Sequence, residues 1–195
     1  MRTIERRKRP DPMGDITRLI QRARAGDSAA LDDLFQLLYP ELRRIAHLRL
    51  RRGFPDPELG TTALVSECYL KLRDSQRLDA TDQAHFFAYA ATAMRSIIVD
   101  IARAKATERR GANAVHVTLD DELAGSDPAA EEQILRVHEA LEEIGEFDAR
   151  LARLVELRYF GGMRAPEIAS ALDITDRTVR RDWQKARLLL GAVLR

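Results

Sequence analysis

The chain is predicted to be all-α, with two helical domains joined by an acidic, flexible linker. Three observations predict this. Apolar residues recur at three- and four-residue spacing through nearly every periodic segment. Strand-like sequence is confined to Val115-His116-Val117, too short to build a sheet. Periodicity also fails over residues 111–130, a polar and acidic stretch longer than most connections inside a domain. With 45% hydrophobic and 32% charged residues among 195, the chain can bury a core and is globular.

The elements follow in order. Residues 1–13, MRTIERRKRPDPM, form a basic tail expected to be disordered, and Met13 is a second candidate start beside Met1. The tail lacks the apolar core of a secretory signal, and no apolar run approaches a membrane span, so a cytoplasmic location without membrane association is expected. A short helix is predicted over 16–25, closed by Gly26-Asp27-Ser28, which offers a stop and a new N-cap. Residues 29–52 carry Leu31, Leu34, Phe35, Leu38, Leu42, Ile45 and Leu48 on one face, with Pro40 a possible bend. After the breaker Gly53-Phe54-Pro55-Asp56-Pro57, a helix over 61–73 places Leu64, Cys68 and Leu72 on one side. The lone Cys68 reads as a small core residue. Residues 74–83 are polar and loop-like, and 85–104 form a long helix rich in Ala, Ile and aromatics. Helices at 131–144 and 149–160 precede the C-terminal pair. The implied division is tail 1–13, first domain 14–110, linker 111–131 and second domain 132–195.

The most specific signal lies in residues 163–187, MRAPEIASALDITDRTVRRDWQKAR. Ile168, Ala169 and Leu172 share a face of a first short helix, Asp173 sits where a left-handed turn is needed, and Thr175 is placed to cap a second helix. In that second helix Val179, Trp183, Ala186 and Leu190 form a narrow apolar stripe, opposite Arg177, Arg181 and Gln184, with Arg180 and Lys185 on the flanks. This is the pattern of a helix-turn-helix, in which Arg forks onto guanine, Gln onto adenine and flanking cations meet phosphates. The plainer reading is an amphipathic helix with a solvated basic face.

A net charge of +1 conceals segregation. Residues 150–195 hold ten basic side chains against five acidic, whereas Asp120, Asp121, Glu122, Asp127, Glu131 and Glu132 cluster just upstream. Catalysis is not expected. His47, His85, His116 and His138 are scattered without metal-ligand spacing, no Gly-rich phosphate loop follows a strand, and pairs such as Asp32-Asp33 and Glu142-Glu143 read as solvated faces, so neither metal nor cofactor is called for.

The segments LVSECYLKL (64–72), HFFAYAATAMRSIIVDIAR (85–103) and VELRYFGGMRAPEIASALDITDRTVRRDWQKAR (155–187) resemble regions two and four of bacterial extracytoplasmic-function (ECF) sigma factors, in order and with the expected spacing. The resemblance implies a subunit that binds core RNA polymerase at its clamp and flap and recognises promoter DNA. It assigns −35 contacts to Arg177, Thr178, Arg180, Arg181, Gln184 and Lys185. It assigns −10 contacts to Phe86, Tyr89, Arg95, Ser96, Arg103, Lys105 and Arg109, with Arg110 beside them. Polymerase docking falls to Thr61, Thr62, Leu64, Glu67, Leu70 and Lys71, capture of a flipped base to the loop 75–83, and entry into the RNA exit channel to the acidic linker 120–132. A free-standing helix-turn-helix regulator, or a helical interaction scaffold, would share parts of the pattern.

Three departures from that family stand out. Arg164 occupies the N-cap of the first motif helix, where Ser or Thr is usual ahead of Glu167. Ser96 replaces a frequent Asn. Gly60-Thr61-Thr62-Ala63 stands where most members carry an acidic cluster, a pattern resembling members controlled by serine/threonine kinases rather than by an anti-sigma partner. Phosphate on Thr61 or Thr62 would restore about −1.5 to −2 charges at a helix N-terminus. The simpler alternative is that these threonines only cap the helix.

Overall fold

A computed structural model describes residues 12–53, 60–75, 78–112 and 128–193. Every regular element among them is helical: α1 (Pro12–Arg24), α2 (Ser28–Gly53), α3 (Thr61–Asp74), α4 (Gln83–Ala112), α5 (Pro128–Phe147), α6 (Ala149–Tyr159), α7 (Ala165–Ala171) and α8 (Asp176–Val193). The all-α class is therefore correct. The basic tail through residue 11, the Val115-His116-Val117 segment and most of the expected linker lie outside the described residues.

Local chemistry explains the boundaries. Gly26 ends α1 with φ +92°, a conformation open to glycine at little cost. Asp27 then caps α2 by accepting from the Ala30 amide at 3.1 Å, while Arg22 holds the same carboxylate at 2.6 Å. Pro40 stays inside α2, which runs unbroken. Asp82 caps α4 through the His85 amide at 2.9 Å, and Asp148 caps α6 through the Leu151 amide at 3.0 Å. Helix α4 extends eight residues past the expected end, through KATERRGA, where no proline or early glycine interrupts it.

Helix α4 is the spine. Its Phe86, Ala90, Met94 and Ile98 meet α2 and α3 at Leu34, Phe35, Leu42, Leu64 and Cys68, all buried. Burial pushes the Cys68 thiol up to about 12, so it is an inert core group. The core does not stop at the described limit of α4. Ile134, Val137 and Leu141 of α5, Leu151 and Val155 of α6, and Phe160 belong to the same contiguous cluster. A second cluster joins Ala88 and Ala91 of α4 to Leu154, Leu157, Met163, Ile168 and Val179. The segments expected as two domains thus pack against opposite sides of one helix.

Small residues permit that approach, since the distance between packed helices depends on the side chains at the contact. At the α6–α7 turn, a Cβ on Gly161 would lie 2.8 Å from the Ala91 Cβ and 2.6 Å from the Leu157 carbonyl oxygen. Gly161→Ala is expected to cost about 1 to 3 kcal/mol of unfolding free energy by overpacking. Urea denaturation measures it, and a neutral substitution would contradict the close approach.

Candidate nucleic-acid interfaces

The helix-turn-helix is built by α7 and α8. Pro166 sits in the first turn of α7, where a missing amide costs nothing. Arg164 has no acceptor to offer the α7 amides, so capping runs one way: Glu167 accepts from the Arg164 amide at 2.6 Å and from its guanidinium at 2.9 Å. Half of the capping box survives the departure from Ser or Thr. Asp173 takes the left-handed turn at φ 51°, as expected. Thr175 caps α8, its hydroxyl accepting from the Thr178 amide at 3.2 Å.

The buried stripe of α8 includes Val179 and Ala186, with Trp183 and Leu190 half-buried. Asp182 is buried beside them, which the apolar pattern gave no reason to expect. Arg150 of α6, at 3.1 Å, and Arg181, at 3.0 Å, balance its charge. Arg158 stacks over the Trp183 ring at 4.9 Å, so α6 grips α8 by a cation–π contact as well. The opposite face exposes Arg177, Arg180, Arg181, Gln184 and Lys185, with Thr178 half-buried. Of these, Arg180 reaches Asp176 at 3.7 Å and Lys185 reaches Asp148 at 2.8 Å. The Arg180 pair is open to solvent and weak, whereas Lys185 keeps an exposed ammonium on a half-buried Asp148.

The second basic face lies on α4, where the expected residues are differently placed. Phe86 is fully buried, its ring edge-on to Phe35 and Phe87. That corrects its assignment to base stacking: its apolar neighbours on α2 claim the ring. Tyr89 and Phe87 are half-buried. Ser96 accepts from Lys71 at 2.5 Å, joining an expected −10 residue to an expected polymerase residue. Arg95, Arg103 and Arg109 all meet α5 or α6. Arg95 contacts Glu142 at 2.5 Å and Glu156 at 3.4 Å, and Arg109 pairs with the buried Glu131. Lys105 is half-buried on the same helix, and the Arg110 side chain lies outside the description.

On α3, Gly60 is the N-cap and makes no side-chain cap bond, which corrects the reading of Thr61 and Thr62 as caps: they occupy the first helical turn, with Thr62 exposed. That turn holds no acidic residue. Leu64 is fully buried, so it supports α3 from within rather than presenting a polymerase contact. Glu67, Leu70 and Lys71 are exposed. Phe35, Tyr39, Val65, Tyr69 and Leu70 line a shallow apolar groove between α2 and α3, with Tyr69 donating to Asp32 at 2.6 Å.

His138, Glu142 and Glu156 escaped sequence reasoning as site residues. Glu131, His138 and Glu142 share one stripe of α5 at i, i+7 and i+11, the only signal that their charges point the same way.

These features define an all-helical, helix-turn-helix protein with two cationic faces. A family model described as ECF sigma factor matches residues 13–195. The chain belongs to the ECF sigma factor family, whose members direct RNA polymerase to promoters. No curated protein matches it.

Two carboxylates of this region are held below their ordinary values. Burial pushes Glu167 up, but hydrogen bonds from the Arg164 side chain and amide outweigh it and hold the carboxyl below its ordinary value of 4.5. Lys185, then the Leu151 amide, hold Asp148 below 3.8. Because both folded values are depressed, their stabilisation is present above the unfolded values and lost as pH falls through the folded ones. Urea midpoints between pH 6 and 3 are expected to fall less in Asp148→Asn and Glu167→Gln, which keep capping geometry without the charge. Unchanged slopes would remove these two groups from the account.

Proposed function

We propose that this sigma factor docks core RNA polymerase through the exposed side of α2 and α3, reads the −35 duplex with α8 and engages the −10 region with α4. In this reading the protein works in the cytoplasm. The observation that carries the reading is α8: a cationic face of Arg177, Arg180, Arg181, Gln184 and Lys185, presented by a turn and cap that are both formed. The α2–α3 groove, apolar with one polar rim, suits a protein partner, and the flap of polymerase would take the helix-turn-helix domain.

Phosphorylation of Thr61 or Thr62 by a serine/threonine kinase would supply the negative charge that this first turn lacks, with an anti-sigma protein the alternative means of control. Support comes from the exposed Thr62 hydroxyl and from an N-cap that offers no side chain of its own. A phosphate there meets free amides and the positive end of the helix dipole.

Run-off transcription with core polymerase on genomic promoters tests the main reading. RNA chains starting at defined sites only when the protein is added are expected. Tight duplex binding by a dimer without polymerase, and no new starts, would favour a free-standing regulator instead. Arg181→Ala is expected to weaken −35 binding by about 1 to 3 kcal/mol if it reads a base, whereas uniform weakening with a smaller salt slope would demote it to a phosphate contact. For the switch, Thr61→Glu and Thr62→Glu are expected to bind core polymerase more tightly than the unmodified chain. Equal, tight binding throughout would exclude it.

A further inference from the structure

Asp182 occupies a place in the buried stripe of α8, one turn from both Val179 and Ala186, where an apolar side chain would pack without the cost of hiding a charge. Only 8% of its side chain is exposed. The carboxylate is gripped from two sides. Arg150 of α6 approaches Oδ2 at 3.1 Å. Arg181 turns one edge of its guanidinium onto Oδ1, with Nε at 3.1 Å and Nη2 at 3.0 Å. The Arg181 side chain is nevertheless 69% exposed, so it is anchored along that edge and open over most of its surface.

We propose that Asp182 is a positioning residue for promoter recognition: it holds the Nε–Nη2 edge of Arg181 so that the Nη1–Nη2 edge is presented, already oriented, to a guanine of the −35 duplex. This rests on the assignment of α8 to the −35 element made above. A guanidinium is a rigid planar fork with two edges, each able to make a pair of hydrogen bonds. With Nε and one Nη2 N–H given to Asp182, the Nη1 and remaining Nη2 N–H groups are left, and these are the donors that guanine O6 and N7 accept together. Fixing the plane before DNA arrives removes rotamer freedom that would otherwise be lost in the complex.

The other paired cations of this face are not held in the same way. Arg180 reaches Asp176 at 3.7 Å, and that carboxylate is 41% exposed. Lys185 reaches Asp148 at 2.8 Å, but an ammonium has no second edge to aim. Arg150 completes the device from behind, because a carboxylate paired to α6 cannot swing out with Arg181. Electrostatics alone gives no reason for this anion. A negative charge beside the DNA face weakens the general attraction to phosphates, so its benefit lies in discrimination between bases. Arg181 then reads sequence, while Arg180 and Lys185 on the flanks supply charge to the backbone.

Holoenzyme assembled from core polymerase and the full-length chain, bound to a promoter library randomised over the −35 segment, tests the device by the base preference recovered at each position. Arg181→Ala is expected to erase a guanine preference at one position. Asp182→Asn is expected to reduce the preference at that same position about fivefold or more and to leave the other positions unchanged. Arg150→Gln separates positioning from anchorage: it loosens α8 from α6 but leaves the Arg181–Asp182 contact, and is expected to keep the guanine preference. An undiminished preference in Asp182→Asn, uniformly tighter binding to every sequence, or an equal loss in Arg150→Gln would overturn the proposal while α8 remains the −35 reader. If Arg181→Ala alters no position, the reading of a base by Arg181 falls, and the proposal with it. Should Asp182→Asn lose helicity, the NMR order parameter of the Arg181 Nε–H bond in the wild-type chain decides: a value above that of Arg177 is expected, and equal values would overturn the proposal.

Discussion

The Glu156 carboxylate, buried in α6, dictates much of how this chain is assembled. A buried anion must be paired or neutralised, and Glu156 is paired twice, by Arg153 of its own helix and by Arg95 across the chain. Arg153 in turn contacts Thr92 and donates to the Ala88 carbonyl of α4 at 3.3 Å. This network fixes how α6 lies on α4, and Ala88 and Ala91 let the backbones come close enough for it to form. Once α6 is set, Gly161 turns the chain beneath α4 and α7 follows.

The helix-turn-helix inherits its orientation from the same helix. Arg150 and Arg158 of α6 hold the buried side of α8 through Asp182 and Trp183, while Lys185 reaches the Asp148 cap. The recognition face is therefore aimed by charges on its concealed side, leaving Arg177 and Gln184 exposed. Helix α4 is under the opposite constraint. Its apolar face is committed to α2 and α3, so its cations have only α5, α6 or a ligand to meet.

Much of this was legible in the sequence. The turn at Asp173, the cap at Thr175 and the stripe of Val179 and Ala186 depend on local stereochemistry and helical period, which neighbouring residues determine. Cys68 was readable as core for the same reason. Phe86 and Leu64 were misplaced because a resemblance locates a segment, whereas burial depends on which side of the helix meets α2. The contacts of Arg95 with Glu142 and Glu156 join residues more than forty positions apart, and no local pattern ties them together. Arg49 was invisible for a related reason: a charged residue near the end of a helix reads as solvated until its partner surface, Tyr159 and Phe160, is in place.

Whether α4 is held across the chain by charge is best measured by a double-mutant cycle on unfolding free energy with Arg95→Ala, Glu156→Ala and the combined variant. A coupling of about 0.5 to 3 kcal/mol is expected, since Glu156 is buried and Arg95 half-buried, with Arg153 and Glu142 remaining as second partners when either is removed. Additivity within about 0.3 kcal/mol would mean that the two groups do not meet in solution, and the packing of α6 on α4 would lose its electrostatic basis.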